Sequence, residues 1–168
     1  RDIGELFELA YSSSDLTAES AMQILMNQKD LNFLPGSEYD YSNTNYVLLA
    51  LIVERVSGMN FREWCQQHIF APLGMKHTFV NDNPREIIPQ RAVAYYSDGS
   101  DFSYMQNNGM SLIGSSAVFT CLDDMIIWVQ ALQEETYFPQ VFKLMKEKGK
   151  LNSGEPIAYG LGLGLAKK

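Results

Sequence analysis

Pro35-Gly36-Ser37-Glu38-Tyr39-Asp40-Tyr41-Ser42-Asn43 runs straight into Thr44-Asn45-Tyr46-Val47-Leu48-Leu49-Ala50-Leu51-Ile52-Val53, and the join between the two halves decides the fold. The first half holds turn formers and polar side chains, so it reads as a loop. The second half is apolar nearly all round, which predicts a deeply buried helix over residues 46–56. Asn43 or Asn45 could cap that helix, and Gly58 is a natural stop. The join therefore sets a phenol, Tyr41, and a carboxamide, Asn43, together on a loop braced by a buried helix. A phenol relays protons and a carboxamide binds carbonyls, so the pair suits positioned proton transfer on an acyl group.

Upstream, residues 12–15 (Ser-Ser-Ser-Asp) read as a loop or cap. Thr17 follows as an N-cap with Glu19 in the first turn, and Ala21, Ile24 and Leu25 form an apolar face at helical spacing. Downstream, a helix over residues 61–70 is capped by Asn60 and ended by Ala71-Pro72, before a tight turn at Leu73-Gly74-Met75. Residues 81–110 are rich in Asn, Asp, Gly, Pro and Tyr and read as loops with one or two minor strands, residues 91–96 among them. Thr120 and Asp123 have capping-box spacing ahead of a helix that turns Met125, Ile126, Trp128, Val129 and Leu132 inward. Another helix is expected from Gln140 to Lys148. Tyr159-Gly160-Leu161-Gly162-Leu163-Gly164-Leu165 alternates with period two, which predicts a strand over residues 157–166 with no partner nearby in sequence. Such a strand belongs to a sheet built elsewhere, so residues 1–168 read as a single region of a larger domain. The exposed edge of that strand would favour self-association through Tyr159–Leu165.

Composition excludes several classes. Hydrophobic residues make up 46% and charged residues 20%, which is ordinary for a globular chain. The net charge of -7 leaves no basic stripe to neutralise phosphates, which argues against nucleic acid as a partner. No window approaches the length of apolar chain that a transmembrane helix needs. Cys65 and Cys121 lack C-x-x-C spacing, and Cys65 lies on an expected helix, where a buried free thiol is commoner than a disulfide. His68 and His77 have no third ligand at metal-binding spacing and read as surface or packing residues.

Four stretches in order resemble one family. They are Pro35-Gly36-x-x-x-x-Tyr41-Ser42-Asn43-x-x-Tyr46-x-Leu48-Leu49-x-x-Ile52-x-x-x-x-Ser57-Gly58, then Pro72-Leu73-Gly74-Met75-x-x-Thr78, then Ala117-Val118-Phe119-Thr120-x-x-x-Asp124-Met125-x-x-Trp128, then Tyr159-Gly160-Leu161-Gly162. The pattern is similar to the serine β-lactamase and penicillin-binding protein family, in its class C β-lactamase-like branch, which includes D-alanyl-D-alanine peptidases and related esterases. The resemblance implies a mainly α chain with short β segments, the helical lobe of an α/β β-lactamase-like fold plus one strand of its sheet. Arg1-Asp2-Ile3 resembles the stretch downstream of the family's nucleophile helix.

The family chemistry implies three elements: a Ser-x-x-Lys nucleophile and base, a Tyr-x-Asn loop, and a Lys-Thr-Gly or His-x-Gly strand. Only the second occurs among the 168 residues. By the resemblance, Tyr41 is the general base or proton shuttle and Asn43 donates its amide to the substrate carbonyl. A phenol ionises near ~10, so Tyr41 needs a nearby ammonium to act near neutral pH. A core tyrosine with a backbone-bonded hydroxyl, and a plain helix cap, are the structural alternatives. Ser42 has no His or Lys beside it to take its proton, so it is not expected to be a nucleophile.

The expected activity is that of a serine hydrolase acting on a β-lactam, a D-alanyl peptide or a small ester through an acyl-serine, without metal or cofactor. The chain alone is expected to be inactive. A non-catalytic module of the same fold, binding peptidoglycan or a partner protein, is the alternative. The family's usual setting implies a periplasmic or extracytoplasmic location. Tyr95, Tyr96, Phe102 and Tyr104 could line a substrate rim or staple a loop. The Glu134-Glu135 pair and the charges of residues 143–150 read as solvated helix faces.

Overall fold

The computed structural model describes residues 17–104 and 112–165. The expectations for residues 1–3 and 12–15 fall outside the described residues. Helix α1 spans Ala18–Met26 and starts at Thr17, whose hydroxyl accepts from the Ser20 amide while the Ser20 hydroxyl accepts from the Thr17 amide. This reciprocal pair satisfies two amides that the first helical turn leaves open. Helix α2, Asn43–Ser57, ends at Gly58, which takes φ 70, a left-handed angle that glycine adopts without a Cβ penalty.

A continuous helical run follows from Asn60, its side chain capping the Arg62 amide: α3 Phe61–Cys65, a π turn Gln66–Phe70, and α4 Ala71–Leu73. The helix expected to end at Ala71-Pro72 thus runs to Leu73, with Pro72 falling directly after the π turn of Gln66–Phe70. Strand β1, Phe79–Val80, pairs antiparallel with β4, Val118–Phe119, and the facing rings of Phe79 and Phe119 stack at 5.9 Å. Between them β2, Tyr95–Ser97, and β3, Phe102–Tyr104, form a small hairpin. Helices α5, Leu122–Glu134, and α6, Pro139–Met145, complete the lobe.

One core joins these elements, with Ala21, Val47, Phe70, Val80, Ala131 and Phe142 among its buried members. Gly114 lies on α2 at φ 87, where an added Cβ would collide with the Tyr46 carbonyl and come within 2.7 Å of the Ala50 Cβ. Glycine is what lets the backbone of residues 112–116 seat against the helix. Arg62 fixes the outer side, with Nη1 3.1 Å from Asp82 Oδ1 and its guanidinium 5.0 Å above the Phe79 ring.

Three expectations change here. Helix α2 is not buried all round: Thr44, Val47 and Ala50 face the core, while Leu49, Ile52 and Val56 are 53%, 54% and 82% exposed. Apolar sequence gives a helix its capacity for burial, but burial requires a neighbour on each face, and among the described residues the outer face has none. Helix α5 begins one residue later than the capping-box spacing indicates, at Cys121, which makes no side-chain cap bond. Of its residues expected inward, Met125, Ile126 and Val129 are more than two-fifths exposed, and Ala131 takes the core position instead. Residues 159–165 do not run extended. The chain turns at Gly162, φ 79, and the amides of Gly160 and Leu165 bond to Leu163 and Ala158 carbonyls. Glycine at alternate positions satisfies period two on paper, yet it equally permits a tight reversal.

Candidate functional site

The loop carrying Tyr41 begins with a turn in which the Ser37 amide and hydroxyl both donate to the Leu34 carbonyl, at 2.9 and 2.8 Å. Gly36 holds φ 80 there, and an ideal Cβ would stand 2.6 Å from Cγ of Asn152. That space is what Asn152 uses: its amide donates to the Gly36 carbonyl at 2.8 Å and its Nδ2 to the Pro35 carbonyl at 3.0 Å. The loop then reaches Ser42, the N-cap of α2, with φ −140 and ψ 112 and its hydroxyl accepting from the Asn45 amide at 3.4 Å. Capping by Ser42, rather than by Asn43 or Asn45, leaves Tyr41 as the residue just before the helix and Asn43 as its first residue.

Tyr41 opens on a cleft of about 250 Å³ lined by Phe33, Glu38, Tyr39, Tyr46 and Tyr159 together with Asp40, Ser42 and Asn45. The phenol is 56% exposed. Tyr159 lies at the centre of the aromatic wall. Its ring meets Tyr41 edge-on with centroids 6.2 Å apart and Tyr39 at a tilt with centroids 5.7 Å apart. Edge-on and tilted contacts of this kind place the positive rim of one ring against the negative face of another, which favours a defined angle.

Burial pushes the Tyr46 phenol up to about 12, helped by its hydrogen bond with the Tyr159 side chain, while a Gly162 backbone contact opposes the shift. Tyr39 is also held above the ordinary phenol value, first by burial and then by Tyr159, Tyr41 and Asp40. These two phenols therefore stay protonated near neutral pH and act as hydrogen-bonding and packing groups rather than as bases.

Asn43 is half-buried on the first turn of α2 and is not among the cleft-lining residues, whereas Asn45 is. Ser42 spends its hydroxyl on the helix cap, accepting from the Asn45 amide. Cys65 and Cys121 are free thiols, and burial lifts Cys65 to about 11, so that thiol is a packing group. His68 packs on Trp64 with centroids 5.0 Å apart, and the His77 amide donates to Asp124. Tyr95, Tyr96 and Phe102 are exposed on the β2–β3 hairpin. Lys146 and Glu135 pair at 3.0 Å on the surface, as solvated helix faces allow. Among the described residues, no group of three or more His, Cys, Asp or Glu is placed to hold a metal, and no helix is long and apolar enough to cross a membrane.

Sequence reasoning missed Tyr159 and Asn152 as parts of this site and Asp124 as a buried anchor. Tyr159 stands in a quoted stretch, so a signal existed, but it was attached to a strand. Asn152 lies 117 residues from Pro35, and nothing local marks it. A second, apolar cavity of about 300 Å³ lies inside the lobe between Phe61, Phe70, Met75 and Trp128.

Comparison with known proteins gives consistent results. Residues 5–168 match the family model described as Beta-lactamase. The chain is 30% identical over 163 residues to penicillin-binding protein 4* of Bacillus subtilis (strain 168), covering 86% of this chain and 35% of that protein. It is 28% identical over 144 residues to a D-aminopeptidase of Gluconobacter oxydans (strain 621H), covering 85% of this chain and 27% of that protein. Among solved structures, the octameric penicillin-binding protein homologue from Pyrococcus abyssi superposes with a TM-score of 0.72 at 21% identity, covering 94% of this chain and 37% of the other. The D-amino acid amidase from Ochrobactrum anthropi SV3 complexed with D-phenylalanine gives 0.61 at 26% identity, covering 82% and 42%. The chain thus spans about a third of the length of the curated relatives it matches.

Proposed function

Because the chain belongs to the beta-lactamase family, we propose that it is the helical lobe of a serine hydrolase that works through an acyl-serine, with Tyr41 moving the proton. The observation that carries this reading is the cleft itself. An exposed phenol stands immediately before a capped helix, on a loop anchored at its start, with open volume in front of it. As the serine oxygen attacks an amide or lactam carbonyl, the phenolate of Tyr41 takes the hydroxyl proton. It returns that proton to the leaving nitrogen as the C–N bond breaks, and the acyl-serine remains for water to cleave. The serine and the ammonium that would keep Tyr41 ionised come from a Ser-x-x-Lys, which none of the 168 residues forms.

The relatives named D-aminopeptidase, D-amino acid amidase and penicillin-binding protein support substrates in which an amide or lactam bond adjoins a D-configured centre. D-amino-acid amides and D-alanyl peptides, β-lactams and small esters form the substrate class of this reading. It places the protein in the class C-like branch, facing peptidoglycan in a periplasmic or extracytoplasmic setting, with Asn43 or its neighbour Asn45 donating to the substrate carbonyl. Self-association through Tyr159–Leu165 is the weaker part of the reading, because that segment spends amides internally. Sedimentation at high concentration decides it, a strictly monomeric chain removing the idea.

The missing Ser-x-x-Lys also motivates a second reading, a non-catalytic module that binds peptidoglycan or a partner protein. Treatment with a fluorescent penicillin and with a fluorophosphonate separates the two. The hydrolase reading expects no labelling of the 168-residue chain and stoichiometric labelling of the protein encoded with its flanking sequence. Absence of labelling in that longer protein supports the binding module. Labelling of Ser42 in the short chain overturns both.

A further inference from the structure

We propose that the C-terminal segment around Asn152 and Tyr159 is the positioning device for Tyr41, clamping the loop of residues 35–41 at two points. The first point is polar. Asn152 holds the Pro35 and Gly36 carbonyls at 3.0 and 2.8 Å, and Gly36 leaves the room that this close approach requires. The second point is aromatic. The Tyr159 ring touches both Tyr39 and Tyr41, and it shares the cleft with Tyr46 of α2. The two points sit at the start and the end of the same loop, and both come from residues 152–159.

The loop needs such a device. Tyr41 is more than half exposed, it precedes the helix rather than belonging to it, and the Ser42 cap fixes only the backbone that follows. A free phenol on an extended segment samples several rotamers, and a proton-transfer group must hold one. Tyr159 is itself held firmly. The Gly149 amide donates to the Tyr159 carbonyl at 2.9 Å, and the Leu161 amide donates to the Met145 carbonyl. The backbone that carries the ring is therefore tied to the end of α6, and Tyr41 takes its angle from the ring. Tyr159 and Asn152 are positioning residues and touch no reacting atom.

This inference rests on reading Tyr41 as the proton-transfer residue for its purpose, but its test reads ring placement alone. The 168-residue chain is labelled at the tyrosine ring carbon bearing the hydroxyl, and the Tyr41 signal is assigned by its loss in Tyr41→Phe. In Tyr159→Ala the Tyr41 signal moves toward the free-tyrosine position, because the edge contact is gone. In Tyr159→Phe, which keeps the ring and loses only the hydroxyl, the signal returns to near its original place. An unmoved Tyr41 signal in Tyr159→Ala overturns the clamp, as does a Phe variant that behaves like Ala. Should Tyr159→Ala unfold, Asn152→Ala decides, since it removes no ring: a moved Tyr41 signal supports the clamp and an unmoved one rejects it. Loss of acylation chemistry in the longer protein would refute the catalytic reading and leave these results standing.

Discussion

Two polar sites in this lobe are built on opposite plans. Around Thr78 and Asp124, both 3% exposed, the polar groups bond to one another: Asp124 Oδ2 accepts from the His77 amide and the Thr78 hydroxyl at 2.7 Å each, and Thr78 and Thr120 share a 2.7 Å bond. Around Tyr41 the groups are aromatic and exposed, held by ring contacts, and they face about 250 Å³ of open space. The first arrangement spends Asp124 Oδ2 and the Thr78 hydroxyl on fastening the start of α5 to the turn after α4. The second leaves a phenol available. A buried network that is complete within itself stabilises a fold, whereas an exposed group with a defined angle is what chemistry requires.

That contrast is open to attack, and the sharpest attack is Asp124→Ala. It strands the His77 amide and the buried Thr78 hydroxyl, which both bond to Asp124 Oδ2, so a loss of about 3 kcal/mol is expected in urea unfolding. A loss below about 1 kcal/mol would mean the network is not the anchor described. Gly114→Ala follows, forcing a side chain into φ 87 and into the Tyr46 carbonyl. The cost is about 2 kcal/mol, measured the same way.

Alkaline titration probes the boundary between the two plans. Tyr46 keeps its proton in the folded lobe up to about 12, against the ordinary phenol value of 10.0. Below that ordinary value both states are protonated and the group leaves stability independent of pH. Between it and the raised value only the unfolded chain releases the proton, so stability falls as pH rises. Wild type therefore loses stability relative to Tyr46→Phe across that window, and parallel curves would remove the raised phenol from the account. The smallest effect is expected at the site itself. Tyr41→Phe changes stability by no more than about 0.5 kcal/mol, because the phenol is exposed.

What the sequence made legible was local. Thr17, Asn60 and Gly58 all cap helices as their chemistry dictates, since a cap needs only neighbours within a turn. The phenol on a loop before a helix was legible for the same reason, and the motif order pointed to the family that residues 5–168 match. Legibility failed where distance in sequence entered. Helix α2 looked buried because its apolar residues were visible, while the lack of an outer neighbour among the described residues was not. Thr120 had the spacing of a cap, yet its hydroxyl went to Thr78 across 42 residues. Tyr159 had the pattern of a strand, but glycine satisfied the alternation without enforcing it, and the ring ended against Tyr41.

The central claim is that Tyr41 transfers the proton in serine acylation. Its most direct test is the rate of acylation by a penicillin or a D-amino-acid amide in the protein encoded with its flanking sequence, wild type against Tyr41→Phe. The account predicts a fall of about 100-fold or more with unchanged unfolding stability. An acylation rate in Tyr41→Phe equal to wild type would contradict it.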